Sequence, residues 1–337
     1  MIPRLDIQFP FRRQWQYWFG GAYEPKSGEY LLNHARTGIV MALCAALPDG
    51  GRVGVVTYNC HTVANAVVNA GCIPVYLDVT EELKIDIEST PTDLDAIVVT
   101  NLFGIRNDVE AIRKRCPHAM IIVDNAHGYG LPEEGDFIVY SINQGKFPAL
   151  GEGGILVVKC PMLNVQCQIE EAYKSLQSYG FVAQLRLFVS MLIKAIAYLP
   201  NFYWLTMKMK KSSNPKVHQS VMMKQMAPGV RRLYQSWLHT ADTEIAKQKI
   251  NAEAITNLQL PISNLKYLIG DNAFMAIVRT GDPTALQKQY ADKGIETATH
   301  FALAIDWAKE FGYIAGSCPK AEELTKHLLM IPTYKSI

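Results

Sequence analysis

Hydrophobic and polar positions along the chain follow two periods. Short, nearly unbroken β-branched runs occur at Val53–Thr57, Ile73–Asp78, Ala96–Asn101, Met120–Asp124, Phe137–Ile142 and Ile155–Val158. Helical spacing appears in TGIVMALCAAL from Thr37, in Val63–Ala70 and in Asn107–Arg115, before and between the earlier runs. Strands that are apolar on both faces and separated by helices predict a mostly parallel α/β sheet covered on both sides. Sheets of this kind bind ligands beyond the carboxyl ends of their strands. The loops after Thr57, Asn101, Asp124 and Ile142 are therefore where chemistry is expected.

Past Leu163 the pattern turns to long helical segments, ending with one from Gly229 to Leu258. A smaller α/β unit follows, with strands expected at Ala273–Arg279 and Ile295–Thr299 and helices at Pro283–Lys293, Ala302–Phe311 and Ala321–Met330. The expected division is a large domain over 1–245, with an atypical helical, apolar and basic segment at 165–225, and a small C-terminal domain over 246–337. With no internal repeat and no low-complexity linker, the small unit is expected to pack closely on the large one.

Within the atypical segment, FVAQLRLFVSMLIKAIAYL carries Arg186, Ser190 and Lys194 at intervals of four, too much polarity for a clean membrane span. PNFYWLTMKMKK then couples Phe202, Tyr203 and Trp204 to Lys208, Lys210 and Lys211. Rings beside cations suit a membrane surface, so peripheral contact through 181–211 is one expectation. Packing of the apolar face on the large domain or on a second copy is the other.

Composition narrows the function classes. The 337 residues are 49% hydrophobic and 19% charged, which fits a folded protein with a large core. Thirty-three Lys and Arg against 31 Asp and Glu give a net charge of +2, so no global field favours nucleic acid and a small-molecule partner is expected. Seven cysteines without a close Cys-x-x-Cys pair read as reduced thiols, with neither a disulfide framework nor a metal site. MIPRLDIQFPFRRQW lacks the apolar run of a secretory signal, so the expected compartment is the cytoplasm, with any membrane contact at its inner face.

Three residues follow strand ends in a suggestive order: Asp124 after AMIIV, Ser141 after DFIVY, and Lys146 in SINQGKFPALGEGG. Taken singly each has an ordinary reading, as a turn cap, a loop hydroxyl and a solvated lysine. Together they are what pyridoxal phosphate (PLP) requires. The lysine bonds the cofactor, the carboxylate pairs with the pyridinium nitrogen, and the hydroxyl helps to hold the phosphate.

The segments VDNAHGYG, GDFIVYS and GKFPALGEGG resemble the DegT/StrS-type sugar aminotransferases, PLP enzymes of fold type I, the aspartate aminotransferase fold. Their pattern has a strand ending in Asp, Gln or His three residues on, Ser five residues before the Schiff-base Lys, and an acidic-Gly-Gly stretch after it. Here these positions are Asp124, His127, Ser141 and Lys146, followed by Gly151, Glu152, Gly153 and Gly154. HARTGIVMAL is similar to the family's phosphate-binding turn, and NCHTVANAVVNAGCIPVYLDV to its next strand, helix and strand. KGIETATHF and LLMIPTY are similar to parts of its small domain.

The resemblance implies Lys146 and Asp124 as catalytic residues. It implies phosphate contacts from Arg36 and Thr37, Cys60 or His61 against one ring face, and His127 beside the phenolic oxygen. It also implies a homodimer that transfers an amino group, with glutamate as the donor, to a keto sugar carried on a nucleotide. The family's partner-subunit Asn ahead of an Arg-Leu pair is replaced by Val230 in GVRRL. Two other readings stand beside this one. A sugar dehydratase or lyase of the same fold is opposed by Lys146, because the dehydratases carry histidine there. A non-catalytic scaffold of the same fold, membrane-docked or partner-binding, is opposed by the intact Asp124, His127, Ser141 and Lys146.

Overall fold

A computed structural model describes residues 13–197, 217–257 and 265–334. The aromatic and basic cluster from Phe202 to Lys211 lies outside the described residues.

The large sheet has seven strands: β1 (Glu29–Leu32), β2 (Arg52–Val56), β3 (Ile73–Leu77), β4 (Ala96–Thr100), β5 (Met120–Asn125), β6 (Phe137–Ser141) and β7 (Gly154–Val158), in the order β1-β7-β6-β5-β4-β2-β3. Strands β3, β2, β4, β5 and β6 pair in parallel, whereas β7 runs antiparallel to both β6 and β1. The mostly parallel sheet expected from the unbroken apolar runs is thus observed. All five residues of β4 are buried, as a central strand covered on both faces requires. Helix α2 (Ala35–Ala46) covers one face with Ile39, Val40, Ala42 and Leu43. The chain before it forms α1 (Gln14–Phe19), and α3 (His61–Asn69) and α4 (Val109–Arg115) supply the crossovers.

After α5 (Leu163–Ser175) and α6 (Phe181–Ala197), the single helix expected over Gly229–Leu258 is two, α7 (Pro228–Leu238) and α8 (Ala241–Thr256). The break falls at His239 and Thr240, where no Gly or Pro marks it. Helix α8 joins the two parts of the molecule: Ala241 lies in the main core and Ile255 in the core of the small sheet. The expected boundary at 245 falls inside this helix.

The small sheet is antiparallel, with β8 (Lys266–Ile269), β9 (Met275–Arg279) and β10 (Leu328–Pro332) in the order β10-β9-β8. Helices α9 (Pro283–Asp292), α10 (Ala304–Lys309) and α11 (Pro319–His327) complete the chain. Two expectations are corrected here. The segment expected as a strand at Ile295–Thr299 contributes only an isolated bridge, Ala298 to Met330. The helix expected over Ala321–Met330 ends at His327, and LLMIP continues as a fully buried strand. An apolar run of this length fits either period, and pairing with β9 decides between them.

Candidate active site

Strands β2, β4, β5 and β6 deliver Asn59 and Cys60, Thr100, Asp124 and Ser141 to one end of the sheet, where a cleft of about 210 Å³ opens. Arg36, His127, Asn143, Lys146 and, from the small unit, Phe301 complete its lining. A larger groove of about 860 Å³ lies between Ile105–Arg113 and Ile269–Asp271. Its Arg106 is shared by Glu134 and Asp271 at 3.8 Å each, and no reactive set converges there.

Asp124 is 3% exposed. Its Oδ1 accepts the Ala126 amide at 3.0 Å and its Oδ2 accepts the Thr100 hydroxyl at 3.3 Å. Thr100 Oγ1 in turn accepts the Asn59 amide at 2.9 Å, so a chain of donors aims the carboxylate. Burial raises the acid's pKa, while the Ala126 amide and the Thr100 bond oppose that rise. A cation arriving at this carboxylate would relieve the desolvation.

Lys146 sits on a tight turn closed by its amide to the Asn143 carbonyl at 3.0 Å. Burial lowers its pKa, opposed by Cys60 and Asp124. Its Nζ is 2.7 Å from Nε2 of His127. His127 is itself sandwiched: the rings of Phe103, Phe274 and Phe301 lie nearly parallel to it, with centroids 5.2, 4.9 and 6.0 Å away. The Phe103 amide donates to His127 Nδ1 at 3.2 Å, from a turn in which Phe103 holds a φ of 53°. A backbone N–H only donates, so Nδ1 is unprotonated and the ring proton is on Nε2. Nε2–H must then donate to Lys146, which accepts as a free amine. Burial holds the His127 pKa well below the usual histidine value, in keeping with a neutral ring.

At the start of α2, the chain crosses β7 so closely that a Cβ on Gly154 would collide with the His34 carbonyl carbon and the Ala35 amide nitrogen. Asn143 ties this region to the lysine loop, its Oδ1 accepting the Gly153 amide at 2.8 Å. Arg36 stands on the first turn beside the cleft. The helix start, Arg36 and Ser141 together provide donors suited to a phosphate.

The sequence-expected residues separate here. Arg36, Cys60, Asp124, His127, Ser141 and Lys146 line one cleft, but Thr37 does not. Its side chain is fully buried, and its hydroxyl donates to Asn33 Oδ1 at 2.8 Å, so it steadies the helix start from behind. Thr62 lines the cleft instead and donates to Cys60 Sγ at 3.2 Å. Of the alternatives Cys60 and His61, the cleft has Cys60; His61 meets Trp307 edge-on at 5.0 Å and lines a different cavity. Burial pushes the Cys60 thiol up, but His61, Lys146 and Thr62 outweigh it and bring the pKa to about 7. Asn59, Thr100, Phe103, Asn143 and Phe301 were not legible in the sequence. Only the family-like strand-end positions of Asn59 and Thr100 hinted at them. Val230 is wholly buried in the chain's own core.

A buried carboxylate, an amine, a thiol on the cleft wall and a helix start with Arg36 on its first turn fit PLP. Comparison with known proteins agrees. The model of the DegT/DnrJ/EryC1/StrS aminotransferase family matches residues 32–337, and the chain belongs to that family. A GDP-perosamine synthase of Vibrio cholerae is 24% identical over 167 residues, which cover 43% of this chain and 46% of that protein, so the match spans just under half of the relative's length. The fold is shared with a putative sugar aminotransferase, Spr1654 of Streptococcus pneumoniae, in its PMP form. That structure has a TM-score of 0.73 and 15% identity over 99% of this chain and 94% of the other. It is also shared with a GDP-4-keto-6-deoxymannose-3-dehydratase, with a TM-score of 0.71 and 16% identity over 100% and 97% of the two chains.

Proposed function

We propose that this member of the DegT/DnrJ/EryC1/StrS aminotransferase family is a PLP-dependent aminotransferase that moves an amino group from glutamate to a keto sugar carried on a nucleotide. The observation that carries the reading is the Nζ of Lys146, 2.7 Å from His127 Nε2, in the same cleft as the buried carboxylate of Asp124.

PLP, when bound, supplies an electron sink for the carbon that gives up or gains the amine. Lys146 would hold the cofactor through its Nζ, and the same amine is placed to take up and give back a proton within the cleft. Burial lowers the pKa of this amine, which favours its action as a base. Asp124 would keep a proton on the ring nitrogen, and Thr100 and Ala126 hold the carboxylate in place for that task. Nε2–H of His127 is a donor suited to an anionic phenolic oxygen. Arg36, Ser141 and the first turn of α2 would hold the phosphate, and Cys60 on the cleft wall would be left to face the ring.

The keto-sugar and nucleotide assignment is supported by the partial match to a GDP-perosamine synthase and by the fold shared with sugar-modifying enzymes. A homodimer and a cytoplasmic location belong to the same proposal. Val230 is committed to the core, so any partner residue reaching the phosphate would come from elsewhere in the chain.

The test is product analysis with PLP, glutamate and a panel of keto sugars on nucleotides. The reading predicts 2-oxoglutarate formed in step with a product whose ketone has become an amine. A product that has lost a hydroxyl and gained no nitrogen would make the chain a dehydratase. Turnover of neither substrate across the panel would remove the aminotransferase reading.

A further inference from the structure

Between Ala172 and Ala241 the sequence contains no Asp or Glu but ten Lys and Arg, although the whole chain is only +2. Positive charge is therefore concentrated in the part that holds α6, and the rest of the chain is net acidic. Helix α6 is apolar on two faces. Its inner face packs on the main core through Met191, Leu187, Phe188 and Leu192. Among the described residues the outer face has no such partner: Val182, Leu185, Val189, Ile193 and Ile196, spaced three and four apart, are all exposed, Ile193 by 61%.

The patch extends beyond the helix. Trp18 of α1 packs on Phe181 and Phe188 of α6 at 5.9 and 5.4 Å. The neighbouring turn of α1 exposes Trp15 by 70% and Phe19 by 66%. Arg186 and Lys194 are exposed on α6 beside the apolar row.

We propose that this face of α6 and α1 docks on a membrane containing anionic lipid, with the aliphatic row and the two aromatic rings entering the interface and the basic side chains meeting headgroups. Large exposed apolar patches mark interaction sites, and aromatic rings with flanking cations are the composition of helices that lie in an interface. No described helix is long and apolar enough to cross a membrane, and Arg186 and Lys194 beside the apolar row suit α6 to its surface. Charge decides against a second copy as the occupant. A two-fold contact would bring the same basic surface to both sides, whereas an anionic bilayer offers the opposite sign. The proposal stands apart from the catalytic reading, since none of these residues lines the cleft.

The full chain is to be sedimented with vesicles of phosphatidylcholine alone or mixed with phosphatidylglycerol, over a range of salt. Expected is recovery with the anionic vesicles at least about tenfold above that with neutral ones, falling as salt rises. The triple variant L185E/V189E/I193E and the surface pair R186E/K194E should each lower that recovery by about tenfold or more. Circular dichroism checks that each remains folded. Because the triple variant alone is at risk of misfolding, the surface pair and the salt response of the unaltered protein carry equal weight. Protein left in the supernatant with anionic vesicles would overturn the proposal, as would a folded R186E/K194E variant that binds undiminished. If the triple variant instead breaks up a self-associated form without any change in vesicle binding, a second copy covers the face and the proposal fails.

Discussion

The Nζ of Lys146 and the Nε2 of His127 are 2.7 Å apart, and the proton between them belongs to the histidine. The backbone amide of Phe103 dictates this by occupying Nδ1 from the other side. Two groups that both accept protons in water are thereby ordered into a donor and a free base. The stacked rings of Phe103, Phe274 and Phe301 keep water and other donors away from the imidazole, so the order is maintained.

Replacing His127 by Phe keeps the aromatic stack but removes the donor that favours the neutral amine. The Lys146 pKa should rise, so the rate of acylation of this lysine in the cofactor-free protein should reach half its maximum at a higher pH than in the wild type. Activity should fall by about 10²-fold, with the alkaline shift recovered in its acidic limb. An unchanged or lower midpoint would show that Nε2 does not carry the proton.

Asp124 is buried with a raised pKa, so its ionised form costs the cofactor-free protein stability. The unfolded chain loses this proton at lower pH than the folded one. Stability therefore falls as pH climbs from the unfolded value through the folded one, and the penalty is full above it. Asp124→Asn should accordingly melt a few degrees higher than the wild type at neutral pH without cofactor, and the gap should close in acid. Its activity should fall by roughly 10²–10⁴-fold. Thermal melts from acid to neutral pH, together with turnover, check both signs.

The Cys60 thiol, with its pKa near 7, should react with iodoacetamide well below the pH at which Cys44 does, since burial alone raises the latter. The half-maximal rate is expected at about pH 7, and His61→Ala should move it upward. PLP should protect the residue. Peptide-resolved alkylation rates give all three results.

Gly154→Ala would drive a methyl group into the backbone at His34 and Ala35, where no side chain can yield. A loss of stability of about 2 kcal/mol or more is expected, with weaker PLP retention because the phosphate-binding start of α2 must move. Equilibrium unfolding and cofactor titration measure the two effects separately.

Much of the large sheet was legible in the sequence because its strands are buried on both faces and leave unbroken β-branched runs. The small sheet was less so. β8 is a four-residue edge strand, and β10 follows a helix without punctuation, so neither leaves a pattern of its own. The motif spacing from Asp124 to Lys146 singled out residues that share one cleft, but not what holds them. Phe103 acts through its main chain, and Phe301 arrives from the small unit. Asn59 and Thr100 matter as a relay across two strands. Such roles depend on tertiary approach, which no local pattern encodes. Thr37 shows the converse: its place in the motif suggested a ligand, while the helical turn directs it back to Asn33.

The central claim is that Lys146 is the residue that bonds the cofactor, and trapping tests it directly. The purified protein, loaded with PLP and reduced with borohydride, is digested and mapped by peptide mass. A cofactor adduct on the peptide holding Lys146, lost in Lys146→Ala together with at least about 10³-fold of the activity, is the predicted result. No adduct on any peptide, or an adduct that persists elsewhere when Lys146 is replaced, would contradict the account.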